Sequence, residues 1–156
     1  MIADYLSAGS LIEARIVAKA PAIKRVAAMG NLYSLLEAEP TEFLKQVSGQ
    51  LPAAYVGFDG ETIGDTTGDG ITHVVLQRWL IVLVVGNYRN ADRAEGVVDA
   101  AGPLLSTLVA ALTGWHPSTD FTELIRQSAP RPGYLAGVGF FPLSFATALV
   151  VEGIPD

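Results

Sequence analysis

Apolar positions along this chain recur at two spacings, and the switches between them mark out the elements. From Leu11 to about Ala20 the spacing is helical, with Ile12, Ile16 and Ala20 on one stripe, and Pro21 closes the run. Ser10 with Glu13 three residues on has the form of a capping box, so the helix is expected to begin at Leu11. A short strand is expected at about Ile23–Ala27. Asn31 is placed to cap a second helix, Leu32–Glu39, with Leu32, Leu35 and Leu36 inward. Pro40 and Thr41 restart a helical turn through Glu42–Val47, and Ser48–Pro52 is a loop.

The period then changes to two. Ala53–Ile63 reads as a strand with Ala54, Val56 and Phe58 on one face and Tyr55 and Asp59 on the other. Gly64–Gly70 is a polar turn and Thr72–Val85 a second strand, so the pair forms a long antiparallel hairpin. From Trp79 to Val85 both faces are apolar, which marks a strand that is central, or covered by a helix on one side and a partner on the other. Asp92, with Glu95 in the capping-box position, opens the longest helix, whose stripe is Val97, Ala101, Leu104, Leu105, Leu108 and Leu112. Pro103 removes a backbone donor inside it and must kink the helix or open a second one; Gly114 is the stop. Thr122–Ala129 is expected as a strand, Pro130–Gly133 as a turn, and Tyr134–Glu152 as one or two further strands, with Pro142 marking an edge or a bulge. Mostly antiparallel pairing with helices packed on one face makes an α+β fold. With no repeat and no linker-like stretch, residues 1–156 read as a single domain.

Composition sharpens this picture. Half of the residues are hydrophobic and 17% are charged, which suits a folded core and excludes disorder. The mean hydropathy of +0.37 is high for a soluble monomer, so apolar surface must face either a membrane or other subunits. The segment Pro132–Val151 has no charge in 20 residues, but it contains Pro132, Gly133, Gly137, Gly139 and Pro142, and after Pro142 it alternates through Leu143, Phe145, Thr147, Leu149 and Val151. Period two means a strand and not a membrane helix. Met1–Leu6 lacks the basic region and apolar core of a signal peptide, so a cytosolic product with its apolar surplus in subunit contacts is expected. The candidate interface set is Arg78, Trp79, Ile81, Leu83, Phe141, Leu143 and Phe145. Arg78 is open to two readings: a contact arginine beside a tryptophan, or one whose stem packs along the sheet with its head in water.

Catalytic chemistry has few candidates. The absence of cysteine excludes disulfides, thiolate metal sites and cysteine nucleophiles. His73 and His116 each stand apart from a second ligand and read as solvated loop histidines, so no metal and no cofactor is expected. Asp65 and Asp69 among Gly64, Gly68 and Gly70 suggest a calcium loop, but Leu76 occupies the twelfth position, where a bidentate acid belongs. The net charge of −6 disfavours binding to nucleic acid by counterion release. Asp59, Glu61, Asp65 and Asp69 concentrate acid in the hairpin, with no Lys or Arg between Lys45 and Arg78. This tip is either a solvated turn or a contact with a partner.

The segments Pro52-Ala53-Ala54-Tyr55-Val56, Gln77-Arg78-Trp79, Ala101-Gly102-Pro103-Leu104-Leu105 and Gly114-Trp115 resemble, in order and spacing, the phage Mu-like tail terminator proteins, as does Ser128-Ala129-Pro130 through Gly133-Tyr134 to Phe141-Pro142-Leu143. The resemblance runs from about Pro52 to Phe145; the stretch Pro40–Gln50 departs from it by its greater length. It implies a non-enzymatic α+β subunit that forms a ring, hexameric in related terminators. That ring caps the tail tube, ends its polymerisation and offers a surface to the head–tail connector, while DNA passes through the lumen without specific binding. The resemblance implies residence in the virion tail after assembly in the host cytoplasm, with no membrane partner. Another virion ring protein (a connector or a tube subunit), or a small enzyme with an unrecognised site, are the competing classes. Under this reading Asp59, Glu61, Asp65 and Asp69 are candidates for contact with the tube or the lumen.

Overall fold

Strands that are apolar on both faces can bury both only inside a sheet, and two such strands make the centre of this structure. The computed structural model describes residues 4–86 and 94–156, and side chains from Val97 onward in the second part. Its elements are α1 (Ser7–Lys19), β1 (Arg25–Ala28), α2 (Met29–Leu36), α3 (Pro40–Val47), β2 (Ala53–Thr66), β3 (Thr72–Gly86), α4 (Ala94–Leu112), β4 (Ile125–Gln127), β5 (Gly133–Leu135) and β6 (Val138–Glu152). The described strands form one open sheet in the order β1-β2-β3-β6-β4, with β5 also on β6. All pairings are antiparallel except β1 with β2. The expected α+β class and the hairpin are present, and α4 runs past Pro103 as one helix, so no second helix opens there.

β3 and β6 pair without interruption from Thr72↔Glu152 to Gly86↔Val138. This fixes two sets of side chains. Val75, Trp79, Ile81, Leu83, Val85, Phe141, Leu143, Phe145 and Leu149 point to one face, where α1 (Ala8, Ile12, Ile16) and α4 (Val97, Ala101, Leu108, Leu112) cover them. Burial of so many large apolar groups, at roughly 1.5–3 kcal/mol each, dominates the stability of the fold. α1 lies so close that a Cβ on Gly9 would stand 2.7 Å from the Trp79 ring. The opposite face differs from the one-sided arrangement read from the sequence. There α2 and α3 bring Met29, Leu32, Phe43 and Val47 onto Ala53, Tyr55, Val82 and Val84. From Trp79 to Val85 the apolar residues on both sides of β3 thus have a helical cover within the chain itself.

Several boundaries move, each for a local reason. α1 begins at Ser7, one turn before the expected start, and no side chain caps it; Ser10 Oγ donates to the Ser7 carbonyl, so there is no Ser10–Glu13 capping box. α2 likewise begins at Met29; Asn31 lies inside it, its Nδ2 donating to the Ala28 carbonyl, and Leu36 is exposed. The hairpin strand β2 continues to Thr66, three residues past its expected end. β4 is shorter than expected; at Thr122 the backbone N–H still donates to the Ala148 carbonyl at 2.9 Å, but the returning Ala148 N–H goes to Thr122 Oγ1 at 2.8 Å, not to its carbonyl. α4 is continuous through Pro103, which sits on its exposed face. Pro142 occupies the stretch of β6 between the β5 ladder, ending at Phe140, and the β4 ladder, starting at Ser144. That is a locally free edge, and the β3–β6 register shows no bulge there. The expected cap at Asp92 and Glu95 lies outside the described residues.

Candidate functional site

Geometry redistributes the residues singled out in the sequence. Trp79, Ile81, Leu83, Phe141, Leu143 and Phe145 are all buried beneath α1 and α4. They belong to the subunit's own core, and of them Leu143 also reaches the floor of a groove beside α4. Trp79 is further held by its indole N–H, which donates to Gln77 Oε1 at 3.2 Å, while Gln77 Nε2 donates to the Tyr5 carbonyl at 2.7 Å. Gln77 is fully buried, so these two bonds satisfy an amide that would otherwise destabilise the core. Arg78 alone of the set points to the other face, half-buried, with Nη1 donating to Thr62 Oγ1 at 2.9 Å. There it borders a lower stretch of sheet where Leu76, Val150 and Ile125 are exposed. Sequence reasoning missed this apolar surface, although the alternation Val74, Leu76 was visible; α2 and α3 reach only the upper half of that face.

The four acids Asp59, Glu61, Asp65 and Asp69 are all exposed along β2 and its turn. They do not share one role. Asp69 is used inside the turn: its Oδ1 accepts from Thr67 Oγ1 at 2.6 Å and from the Ile71 N–H at 3.1 Å. The Thr67 hydroxyl, then the Ile71 amide, hold its carboxyl below the ordinary carboxylate value. Gly70, at φ +76°, supplies the left-handed residue that closes the turn. Glu61 accepts from the Tyr5 hydroxyl. Desolvation first, and this bond with the Glu61 charge second, push the Tyr5 phenol up to about 12. Asp59 and Asp65 each sit at a bulge, where Asp59 and Gly60 oppose Arg78, and Gly64 and Asp65 oppose Val74. Each bulge twists the outer edge of β2, which β1 leaves unpaired beyond Val56.

Among the described residues no group of three His, Cys, Asp or Glu side chains converges on a point. His116 Nδ1 lies 3.2 Å from the Phe121 carbonyl and Nε2 3.5 Å from Glu123, both on the surface. A groove beside α1 and α2 contains Glu13, whose carboxyl is raised by burial. Its neighbours there are Leu6, Met29, Phe58 and Trp79, with Ser10 turned back to its own helix. One perturbed acid without a nucleophile or second acid is a poor basis for catalysis. No described helix is long and apolar enough to cross a membrane.

Comparison with known proteins gives one decisive result. The family model described as phage tail terminator protein matches residues 1–155. Among solved structures, a chain from a virion of a native gene transfer agent particle is similar at 17% identity and TM-score 0.46, covering 96% of this chain and 100% of that one. No curated protein matches.

Proposed function

The chain belongs to the phage tail terminator family, and from that premise we propose that it ends growth of the tail tube by closing, as a hexamer, into a ring on the tube's end. The family is one of structural virion proteins, and the chain is a structural component of the tail. In the proposed role one side of the ring meets the tube protein, the other presents a surface to the head–tail connector, and assembly takes place in the host cytoplasm. The observation that carries this reading is the family match over residues 1–155.

Two features of the molecule support it. The chain carries −6, and four of its 16 acids, Asp59, Glu61, Asp65 and Asp69, lie on β2 and the hairpin turn. Repeated around a ring, the net negative charge, with Asp65 and Asp69 exposed at the turn, sets up a field that repels phosphate, which suits a lumen through which DNA must slide. The apolar stretch around Leu76, Val150 and Ile125 is surface of the kind that contacts between proteins cover.

Electron microscopy of the purified protein, alone and mixed with tail tubes, tests the proposal. Single closed rings alone, or one ring at a tube end, are expected. Protein that stacks into tubes would instead be a tube subunit. A strict monomer that also ignores tube ends would overturn the reading.

A further inference from the structure

One row of side chains runs across the helix-covered face from edge to edge. Phe58 on β2 pairs with Trp79 on β3, Trp79 with Phe145 on β6, and Phe145 with Arg126 on β4. The members touch: Phe58 and Trp79 meet edge to face at 5.4 Å, and the Arg126 guanidinium lies 6.0 Å over the Phe145 ring. The row therefore ends in an exposed aromatic beside two acids on one edge of the sheet, and in an exposed cation on the other. Beside Arg126, a groove of about 540 Å³ opens between α4 and β4, floored by Leu105, Val109 and Leu143. Phe58 is 41% exposed, a large apolar group left on an edge.

We propose that this groove receives the β2 edge of a second copy of the chain, with Phe58 on its apolar floor and Asp59 and Glu61 against Arg126. The inference rests on the ring reading and names the contact that would close the ring. Three observations select a second copy as the occupant. The charges are complementary: the segment 46–77 holds acids and no Lys or Arg, whereas Arg126 and Arg131 flank the β4 edge. The two ends stand at one height in the sheet, since both belong to one cross-strand row, so copies laid edge to edge need no shift along the strands. A head-to-tail contact without such a shift closes into a ring when its rotation returns to the first copy, whereas one with a shift climbs into a filament. The strand directions also agree, because β2 and β4 run antiparallel. The bulge at Asp59–Gly60 breaks the regular edge, so the contact is a side chain in a groove and not an added strand. A guanidinium between an aromatic ring and carboxylates gains from both.

The test uses charge reversal and mixing. Arg126→Glu alone, and Asp59→Arg with Glu61→Arg, should each weaken self-association at least tenfold in sedimentation velocity, with folding intact by circular dichroism. An equimolar mixture of the two should recover it, because each variant's altered edge then meets the other's, and an even-numbered ring can alternate them. Wild-type assembly that both variants match, or a mixture that recovers nothing, overturns this contact and leaves the ring reading standing. Wild-type protein that closes into no ring, alone or on tubes, overturns both. Should a charge variant misfold, Phe58→Cys with Ser106→Cys in the otherwise cysteine-free chain should oxidise to a ladder of linked subunits, and no ladder overturns the contact.

Discussion

A single methyl group at Gly9 tests how closely α1 is seated on the sheet. A Cβ there would lie 2.7 and 2.9 Å from two carbons of the Trp79 ring, against an ordinary contact of 3.4 Å or more. The ring cannot easily yield. It is 4% exposed, packed on Phe58 at 5.4 Å and held by its N–H on Gln77. Overpacking of this kind costs about 1–3 kcal/mol, while replacing glycine by alanine within a helix returns at most about 1 kcal/mol. Gly9→Ala should therefore destabilise by about 1.5 kcal/mol, which for a chain of this length lowers the melting temperature by roughly 3–6 °C. Gly30, in the first turn of α2, is the control: nothing lies within 4 Å of its added Cβ. There only the propensity term acts, so Gly30→Ala should be neutral or stabilising by up to about 1 kcal/mol. Thermal and urea denaturation of both variants measure the difference. A Gly9→Ala protein as stable as wild type would refute the seating of α1 on Trp79.

Gln77→Leu strands the buried Trp79 N–H and removes the donor to the Tyr5 carbonyl, and should destabilise by about 1–3 kcal/mol in urea unfolding; an unchanged midpoint would remove the role given to this amide. Asp69 should titrate below the ordinary 3.8 by NMR, and Thr67→Val should raise its midpoint toward that value. Because its folded value is depressed, the stability Asp69 contributes is present above the ordinary carboxylate range and is lost as pH falls through the folded value. Asp65→Lys, leaving Asp69 to hold the turn, should change stability by less than about 0.5 kcal/mol yet lower complementation of a terminator-deficient phage; full titre would deny the tip a contact. Elemental analysis should find no stoichiometric metal, and melting in chelator should match melting without it, since a site specific to the folded state would show as lost stability.

Periodicity revealed which side chains share a face, and this carried most of the architecture. The hairpin, the stripe of α4 and the alternation of β6 from Leu143 to Val151 all read directly. It does not say what covers a face. Trp79, Ile81, Leu83, Phe141, Leu143 and Phe145 have the same apolar character whether a helix or a neighbour lies on them, and α1 and α4 decided the matter. Helix starts were misplaced where a plausible capping residue stood inside the helix, as with Ser10 and Asn31, because a side-chain oxygen or amide can bond the preceding turn instead. The acids of the hairpin were legible as a group, but the separation of Asp69 from Asp59 and Asp65 depends on bonds within the five-residue turn Thr67–Ile71. The row from Phe58 to Arg126 joins residues 68 positions apart through three register relations that no local pattern encodes.

The unbroken register between β3 and β6 has a mechanical meaning. β3 is held along its length by β2 on one side and β6 on the other. A pull along the strand axis strains the bonds of both ladders at once, in shear, so that none fails until many do. A pull across the sheet at the tip would instead peel the ladders open one bond at a time. The subunit is therefore stiff along its hairpin and compliant across it, and any traction that a tail transmits is best borne when the hairpin lies along the line of force.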